Sequence, residues 1–332
     1  MPDGAAVALI IALALAFDFT NGFHDAANAI ATTVSTRALS PRLALGMSAL
    51  LNLAGAFLTT AVAATVGKGI VVTSAISLPI VGAALVGAIV WNLFTWRLGL
   101  PSSSSHALIG GLVGAMLSAH GSAFVQWKNI WLKVGVPGLL SPLAGFACGF
   151  LVMLALYWLF RRWSPKRINR TFRRLQVVSA AFVSFSHGAN DAQKTMGVVT
   201  LALVAGHYQR SFAVQPWVIV LSAGAIALGT YSGGWRIIRT VGQRIIRLEP
   251  INGFAAEASS ATVLLVASFQ GLPVSTTHVV SGAIMGVGST RNLSAVRWGV
   301  AGNILLAWLL TLPCAAAVAA LVYAAAHLLG AQ

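Results

Sequence analysis

Charge is scarce in this chain. Of its 332 residues only 8% are charged and six are acidic, against about 25% charged in a soluble domain. Cysteine is scarcer still. Cys148 and Cys314 stand alone in apolar segments, which fits packing and excludes a disulfide framework or a cysteine metal centre. Alternating ten-residue strands are missing, which excludes a membrane β-barrel. The N-terminus has Asp3 where a cleaved leader would carry basic residues, so the first apolar stretch is expected to remain as a span. What fills the chain is apolar: 58% of residues are hydrophobic, in runs long enough to cross a bilayer. The fold class is therefore an all-α polytopic membrane protein, with roughly 10–12 membrane segments including broken helices or re-entrant hairpins.

The net charge of +15 does not point to nucleic acid, because the basic residues are confined. Arg161, Arg162, Lys166, Arg167, Arg170, Arg173 and Arg174 crowd one loop, and Arg236, Arg239, Arg244 and Arg247 another. Such clusters beside spans read as cytoplasmic retention and attraction to anionic lipid. The second has helical spacing and predicts a short interfacial helix. Arg37 and Arg42 place the far end of the first span inside and the N-terminus outside, in a multi-pass protein of the cytoplasmic (inner) membrane.

The first span is expected over 5–35, interrupted at Asp18–Gly22. Runs at 43–66 and 70–96 follow, then Gly99-Leu100-Pro101-Ser102-Ser103-Ser104-Ser105-His106, which reads as a hairpin tip or broken helix. One or two spans at 134–160 lead into the basic linker 161–174. After it the pattern restarts: 175–205, 213–231, the arginine segment 236–247, and Glu257 heading an apolar run. Gly271-Leu272-Pro273-Val274-Ser275-Thr276-Thr277-His278 comes next, and 295–329 closes the chain, bent or divided near Pro313.

The restart is a repeat. Asp25 and Asp191 lie 166 positions apart, and Pro101 and Pro273 lie 172 apart; between 99–114 and 271–286 seven of sixteen positions are identical. This predicts two membrane repeats, 1–160 and 175–332. Their flanking charges imply opposite orientations, which places a transport site between the repeats near the midplane.

Each tip sets hydroxyls at a helix start, where backbone amides lack partners; that is a ready anion site. Two converging tips would surround a tetrahedral oxyanion with Ser103, Ser104, Ser105, Ser275, Thr276 and Thr277. Asp25, Asp191 and Glu257 are acids at membrane depth, opposed by Lys194, and this excess negative charge requires protons or cations. The coupling ion is H+ or Na+, with Asn28, Asn52, Asn190 and Gln193 as oxygen ligands. Lys194 aligns with Asn28, and Glu257 with Leu85, so the half-sites are unequal. Lys194 either pairs with an aspartate or attracts the anion. Carboxylates beside an anion favour phosphate, which carries a transferable proton, over sulfate; a metal–phosphate complex held at Asp25, Asp191 and Glu257 satisfies the same groups. His24, His106, His187 and His278 fit proton carriage, capping or orientation of the acids. An intramembrane serine hydrolase is the rival from another class, but the serine–histidine pairs are duplicated and no Gly-x-Ser-x-Gly elbow occurs. A passive anion channel is a further rival. No enzymatic cofactor is expected.

Asn21-Gly22-Phe23-His24-Asp25-Ala26-Ala27-Asn28-Ala29, Ser186-His187-Gly188-Ala189-Asn190-Asp191-Ala192-Gln193-Lys194, Pro101–His106, Glu257 and Pro273–His278 together resemble the inorganic phosphate transporter (PiT) family, above all its bacterial low-affinity members. The resemblance covers nearly the whole chain. It implies secondary active phosphate uptake, substrate and ion residues in the tips and Asn/Asp motifs, and a homodimer in which a transport unit moves against a scaffold. The first motif reads Gly22-Phe23-His24-Asp25 where many relatives have glycine-alanine-asparagine-aspartate. That form resembles members using protons and metal–phosphate. Some bacterial members carry sulfate, which keeps that substrate open.

Overall fold

The computed structural model describes residues 4–330. They form helices throughout, with a single isolated bridge between Val71 and Val125 among the described residues. Twelve helices follow in order: α1 Gly4–Ser35, α2 Pro41–Gly55, α3 Ala61–Gly69, α4 Leu78–Leu98, α5 Ser104–His120 and α6 Trp127–Leu159, then α7 Pro165–Ala205, α8 Pro216–Ser232, α9 Trp235–Arg244, α10 Pro250–Phe269, α11 Thr276–Ser289 and α12 Trp298–Leu328. Helices α1, α4, α6, α10 and α12 are each long and apolar enough to cross a membrane, as is the pair α8 and α9, bent by 61°. Leucines along α6 and α12, among them Leu140, Leu143, Leu306 and Leu309, remain exposed, as a lipid-facing surface requires.

Local chemistry explains the breaks. Gly99 and Gly271 both take the left-handed conformation at φ 67°, and a Leu-Pro pair follows each. Glycine ends the helix there, and proline keeps it from resuming. Ser103 and Ser275 then cap α5 and α11 by accepting from the amides of His106 and His278.

Partners are exchanged across the chain: α1 packs on α8 and α7 on α2, while α5 packs on α12 and α11 on α6. Small residues allow the approach. A Cβ on Gly114 would lie 2.0 Å from the Ala316 carbonyl oxygen, and one on Gly286 2.1 Å from that of Phe146. In lipid such contacts carry helix association through packing rather than through water release.

Helices α1 and α7 run antiparallel. Gly4 and Val7 at the start of α1 neighbour Tyr208 and Gly206 just past the end of α7, and Thr36 after α1 donates to Gln176 near the start of α7 at 2.6 Å. Helix α4 ascends beside α1, with Gly82 against Ile10 and Thr95 against His24. Helix α10 follows α7, with Glu257 at Ser179 and Ser268 at Asn190. The hairpins α4–α5 and α10–α11 therefore enter from opposite ends and meet tip to tip: Ser105 Oγ donates to the Val274 carbonyl at 3.2 Å, and the rings of His106 and His278 are 4.9 Å apart.

Several expectations are corrected. The first span is not interrupted at Asp18–Gly22; α1 continues through it. Asp18 and Asn21 are wholly buried among neighbouring helices, so their polarity faces protein and the backbone need not break. The stretch 134–160 lies in one helix, α6, rather than two. Pro313 sits inside an undivided α12. The run 43–66 is two helices separated at 56–60. Of the basic stretch 161–174, residues from Pro165 onward are already the first turns of α7. The arginine segment does form a short helix, α9, which buries Ile237, Ile238 and Val241 while Arg236 and Arg239 stay exposed. Both cysteines are free. Asp3 lies outside the described residues.

Candidate functional site

The middle turns of α1 and α7 face one another where the two tips meet. No side chain at this junction is appreciably exposed: Asp25 is 2% exposed, Asp191 0% and Lys194 1%. The Asp25 carboxylate receives His24 Nδ1 at 2.6 Å. Nε2 of the same ring is 3.2 Å from Thr95 Oγ1 and 3.3 Å from Ser102 Oγ, which ties the α1 motif to the first hairpin. Asp191 forms an ion pair with Lys194 one turn on, and His187 Nε2 lies 3.2 Å from its other oxygen. His187 is held in turn by Asn52 Oδ1 at 3.1 Å, and Asn52 donates to Thr230 at 2.8 Å.

One hydroxyl joins the two acids. Thr276 Oγ1 is 3.2 Å from Asp25 Oδ2 and 3.3 Å from Asp191 Oδ2. A hydroxyl has one proton and serves one carboxylate at a time, so the second oxygen beside it calls for another positive partner. Asp25, His187 and Asp191 each turn a ligand atom into a space where these atoms lie within 4.8 Å of one another. Carboxylates with imidazole suit a cation, including the metal of a metal–phosphate complex.

Around the acids stand hydrogen-bonding groups of both kinds. Asn28 Nδ2 donates to Thr277 Oγ1 at 2.8 Å, leaving its Oδ1 without a partner. Asn190 Nδ2 donates to Ser268 Oγ at 3.1 Å and to the Leu272 carbonyl at 3.3 Å, and its Oδ1 is likewise unpartnered. Ser104 Oγ is buried with no partner. It sits on the first residue of α5, beside amides with no intrahelical acceptor, as Thr276 does on α11. The arrangement can hold an oxyanion at the helix starts and a cation at the adjoining carboxylates.

Of the residues expected in the site, Asp25, Asn28, Ser104, Ser105, Asp191, Asn190, Lys194, Thr276 and Thr277 come together here. The hydroxyls of Ser103 and Ser275 are engaged as caps. Gln193 accepts from the Val62 amide at 2.8 Å and donates to the Ala189 carbonyl, which makes it a joint between α7 and α3. Glu257 stands apart. It receives Thr33 at 2.6 Å, Gln176 at 3.1 Å, Thr32 and Ser179, and shares no hydrogen bond with either aspartate. Asp18 is buried beside Asn21 and Thr195. His187, one of the histidines expected to carry a proton, cap a helix or orient the acids, lies against Asp191 at i,i+4 spacing on one helix face. Thr95 and the Val274 carbonyl had no signal in the sequence.

Ser104→Ala is expected to weaken binding of an inorganic oxyanion about tenfold, through loss of one hydrogen bond to a charged group of about 1.5 kcal/mol, with unchanged expression. Anion titration of the purified protein and the variant measures it.

Comparison with known proteins gives a consistent answer. Residues 21–319 match the model of the phosphate transporter family. A probable low-affinity inorganic phosphate transporter of Mycobacterium bovis is 50% identical over 324 residues, 97% of this chain and 78% of that one. One from Rhizobium meliloti is 50% identical over 321 residues, 96% of each chain. The solved structure of a sodium-dependent phosphate transporter superposes with a TM-score of 0.90 at 28% identity, over 98% of this chain and 99% of that one.

Proposed function

Because this chain belongs to the phosphate transporter family, we propose that it takes up inorganic phosphate, free or as a metal complex, in symport with a cation, H+ or Na+. Its relatives and its fold are those of a phosphate transporter, not of an enzyme. The observation that carries the reading is the junction of the two tips on Asp25 and Asp191 through Thr276. The starts of α5 and α11, with Ser104, Ser105, Thr276 and Thr277, hold the phosphate oxygens. Asp25 and Asp191, with the free amide oxygens of Asn28 and Asn190, hold the cation. A bare anion beside two carboxylates is repelled, and so is a bare cation at the helix starts. Together they neutralise one another, and that mutual requirement is the coupling. Sulfate has no proton to share with the acids, and no observation here favours it.

In this reading residues 1–160 and 175–332 are inverted repeats joined by the basic linker 161–174, and alternating access comes from one bundle rocking about the shared site. The N-terminus faces outward, the linker faces the cytoplasm, and the protein sits in the inner membrane as a homodimer. The antiparallel course of α1 and α7 supports the inversion.

Radiolabelled phosphate uptake into proteoliposomes, with proton and sodium gradients imposed separately and sulfate as competitor, tests the proposal. Accumulation above the equilibrium level, driven by one gradient and insensitive to sulfate, is expected; simple equilibration would make the protein a channel. We assign Glu257, which shares no hydrogen bond with the tips, to carrying the coupling charge rather than the substrate. Glu257→Gln is accordingly expected to keep phosphate–phosphate exchange and to lose gradient-driven accumulation, compared by counterflow and uptake on the same vesicles.

A further inference from the structure

At one pair of equivalent positions in the two tip contacts, 28 and 194, the half-sites differ by one full charge. Asn28 on α1 donates to Thr277, the third hydroxyl of the second tip. Its counterpart Lys194 on α7 donates to Ser105, the residue of the first tip equivalent to Thr277. Contacts 28–277 and 194–105 are thus equivalent under the repeat, but a neutral amide makes one and an ammonium the other. The ammonium makes two contacts more. It pairs with Asp191 Oδ1 and donates to the Val274 carbonyl at 3.2 Å, in the irregular stretch before α11. A carboxylate oxygen, a hydroxyl and an unwound backbone carbonyl are the ligands with which transporters bind small monovalent cations at broken helices. Lys194 Nζ sits among all three, 1% exposed.

We infer that the Lys194 ammonium is a tethered cation, permanently filling a monovalent-cation site formed by Asp191 Oδ1, Ser105 Oγ and the Val274 carbonyl, so that this chain couples phosphate to one free cation fewer than a site with asparagine there. The inference rests on the cation-coupled reading above. It follows from charge balance at the tip junction, where Glu257 takes no part: Asp25 and Asp191 bring two negative charges and Lys194 returns one, so one free cation at Asp25 completes neutrality there. An amide at position 194 leaves the second charge unmet. It also makes Lys194 a residue that fixes coupling stoichiometry rather than one that attracts phosphate.

The test counts bound cations on purified, detergent-solubilised protein without phosphate. Lys194→Asn is expected to bind one more radiolabelled Na+ per chain than the wild type. Its melting temperature should rise with Na+ but not with N-methylglucamine at equal ionic strength. Lys194→Arg, which keeps the charge, is expected to match the wild-type count. Equal counts in wild type and Lys194→Asn would overturn the inference, as would an extra ion in Lys194→Arg. Should Lys194→Asn be isolated only as unfolded protein, Lys194→Gln repeats the measurement. Recovery of folded protein specifically with Na+ then supports the inference, and failure in every salt overturns it. A wild type that binds no phosphate would defeat the transport reading while leaving the cation count intact.

Discussion

Asp191→Asn is expected to lower phosphate accumulation in proteoliposomes by at least about 100-fold, the loss of roughly 3 kcal/mol of charge interaction from a buried site. Asp191 ties three groups together at the junction: it pairs with Lys194, faces His187 and shares the Thr276 hydroxyl with Asp25. The amide keeps the size of the carboxyl and removes its charge. It also strands the Lys194 ammonium in a fully buried position. Breaking a buried pair by removing one partner destabilises by about 3–5 kcal/mol, because the remaining charge is uncompensated. Two effects are thus superposed, and a second substitution separates them. Asp191→Asn with Lys194→Met should regain much of the lost thermal stability, since no charge is left unpaired, without regaining accumulation. Melting curves and uptake on the same preparations give both readings. Recovery of uptake in the double variant would reduce the pair to a structural strut.

Gly188→Leu is expected to abolish the folded protein's yield or its transport outright. Helix α7 crosses α2 at this residue, and even a Cβ would lie 2.1 Å from the Asn52 carbonyl oxygen and 2.5 Å from its Cα. Neither atom can yield, because both belong to a helix backbone. Overpacking of a tight core costs about 1–3 kcal/mol, occasionally more. Here it also displaces Asn52, which orients His187 toward Asp191. Gly224→Ala, where nothing lies within 4 Å of an added Cβ, is the matched control and should behave as wild type. Monodispersity on size-exclusion chromatography with initial uptake rates decides the case.

How much of this was legible in the sequence depends on whether the cause is local. The tips were legible because the signal is chemical and short. Gly-Leu-Pro stops a helix, and Ser103 or Ser275 starts the next, irrespective of what surrounds them. The repeat was legible for the same reason, through seven matched positions. Polar groups at membrane depth single out Asp25, Asn28, Asp191, Asn190 and Lys194 from the sequence alone. Tertiary burial was not legible. Asp18 and Asn21 looked like a break in the first span, yet they stay helical because other helices cover them. Glu257 looked like a third member of the acid cluster, but its position along α10 aligns it with Ser179 and Gln176, not with the tips. Gln193 had the side chain of a ligand and serves instead to fasten α3. The Val274 carbonyl, a backbone atom, carries no sequence signature at all, although it completes the ligand set around Lys194.

The central claim is that elements distant in the chain enclose one chamber, with α1 reaching the second tip and α7 the first. A paired-cysteine experiment reads this most directly. In a background with Cys148 and Cys314 replaced by alanine, Asn28→Cys and Thr277→Cys stand where the native side chains are 2.8 Å apart. A mercuric ion is expected to bridge the two thiols within one chain, and phosphate is expected to slow the bridging. Two thiols that label independently with a maleimide and never bridge, with phosphate or without it, would contradict the account.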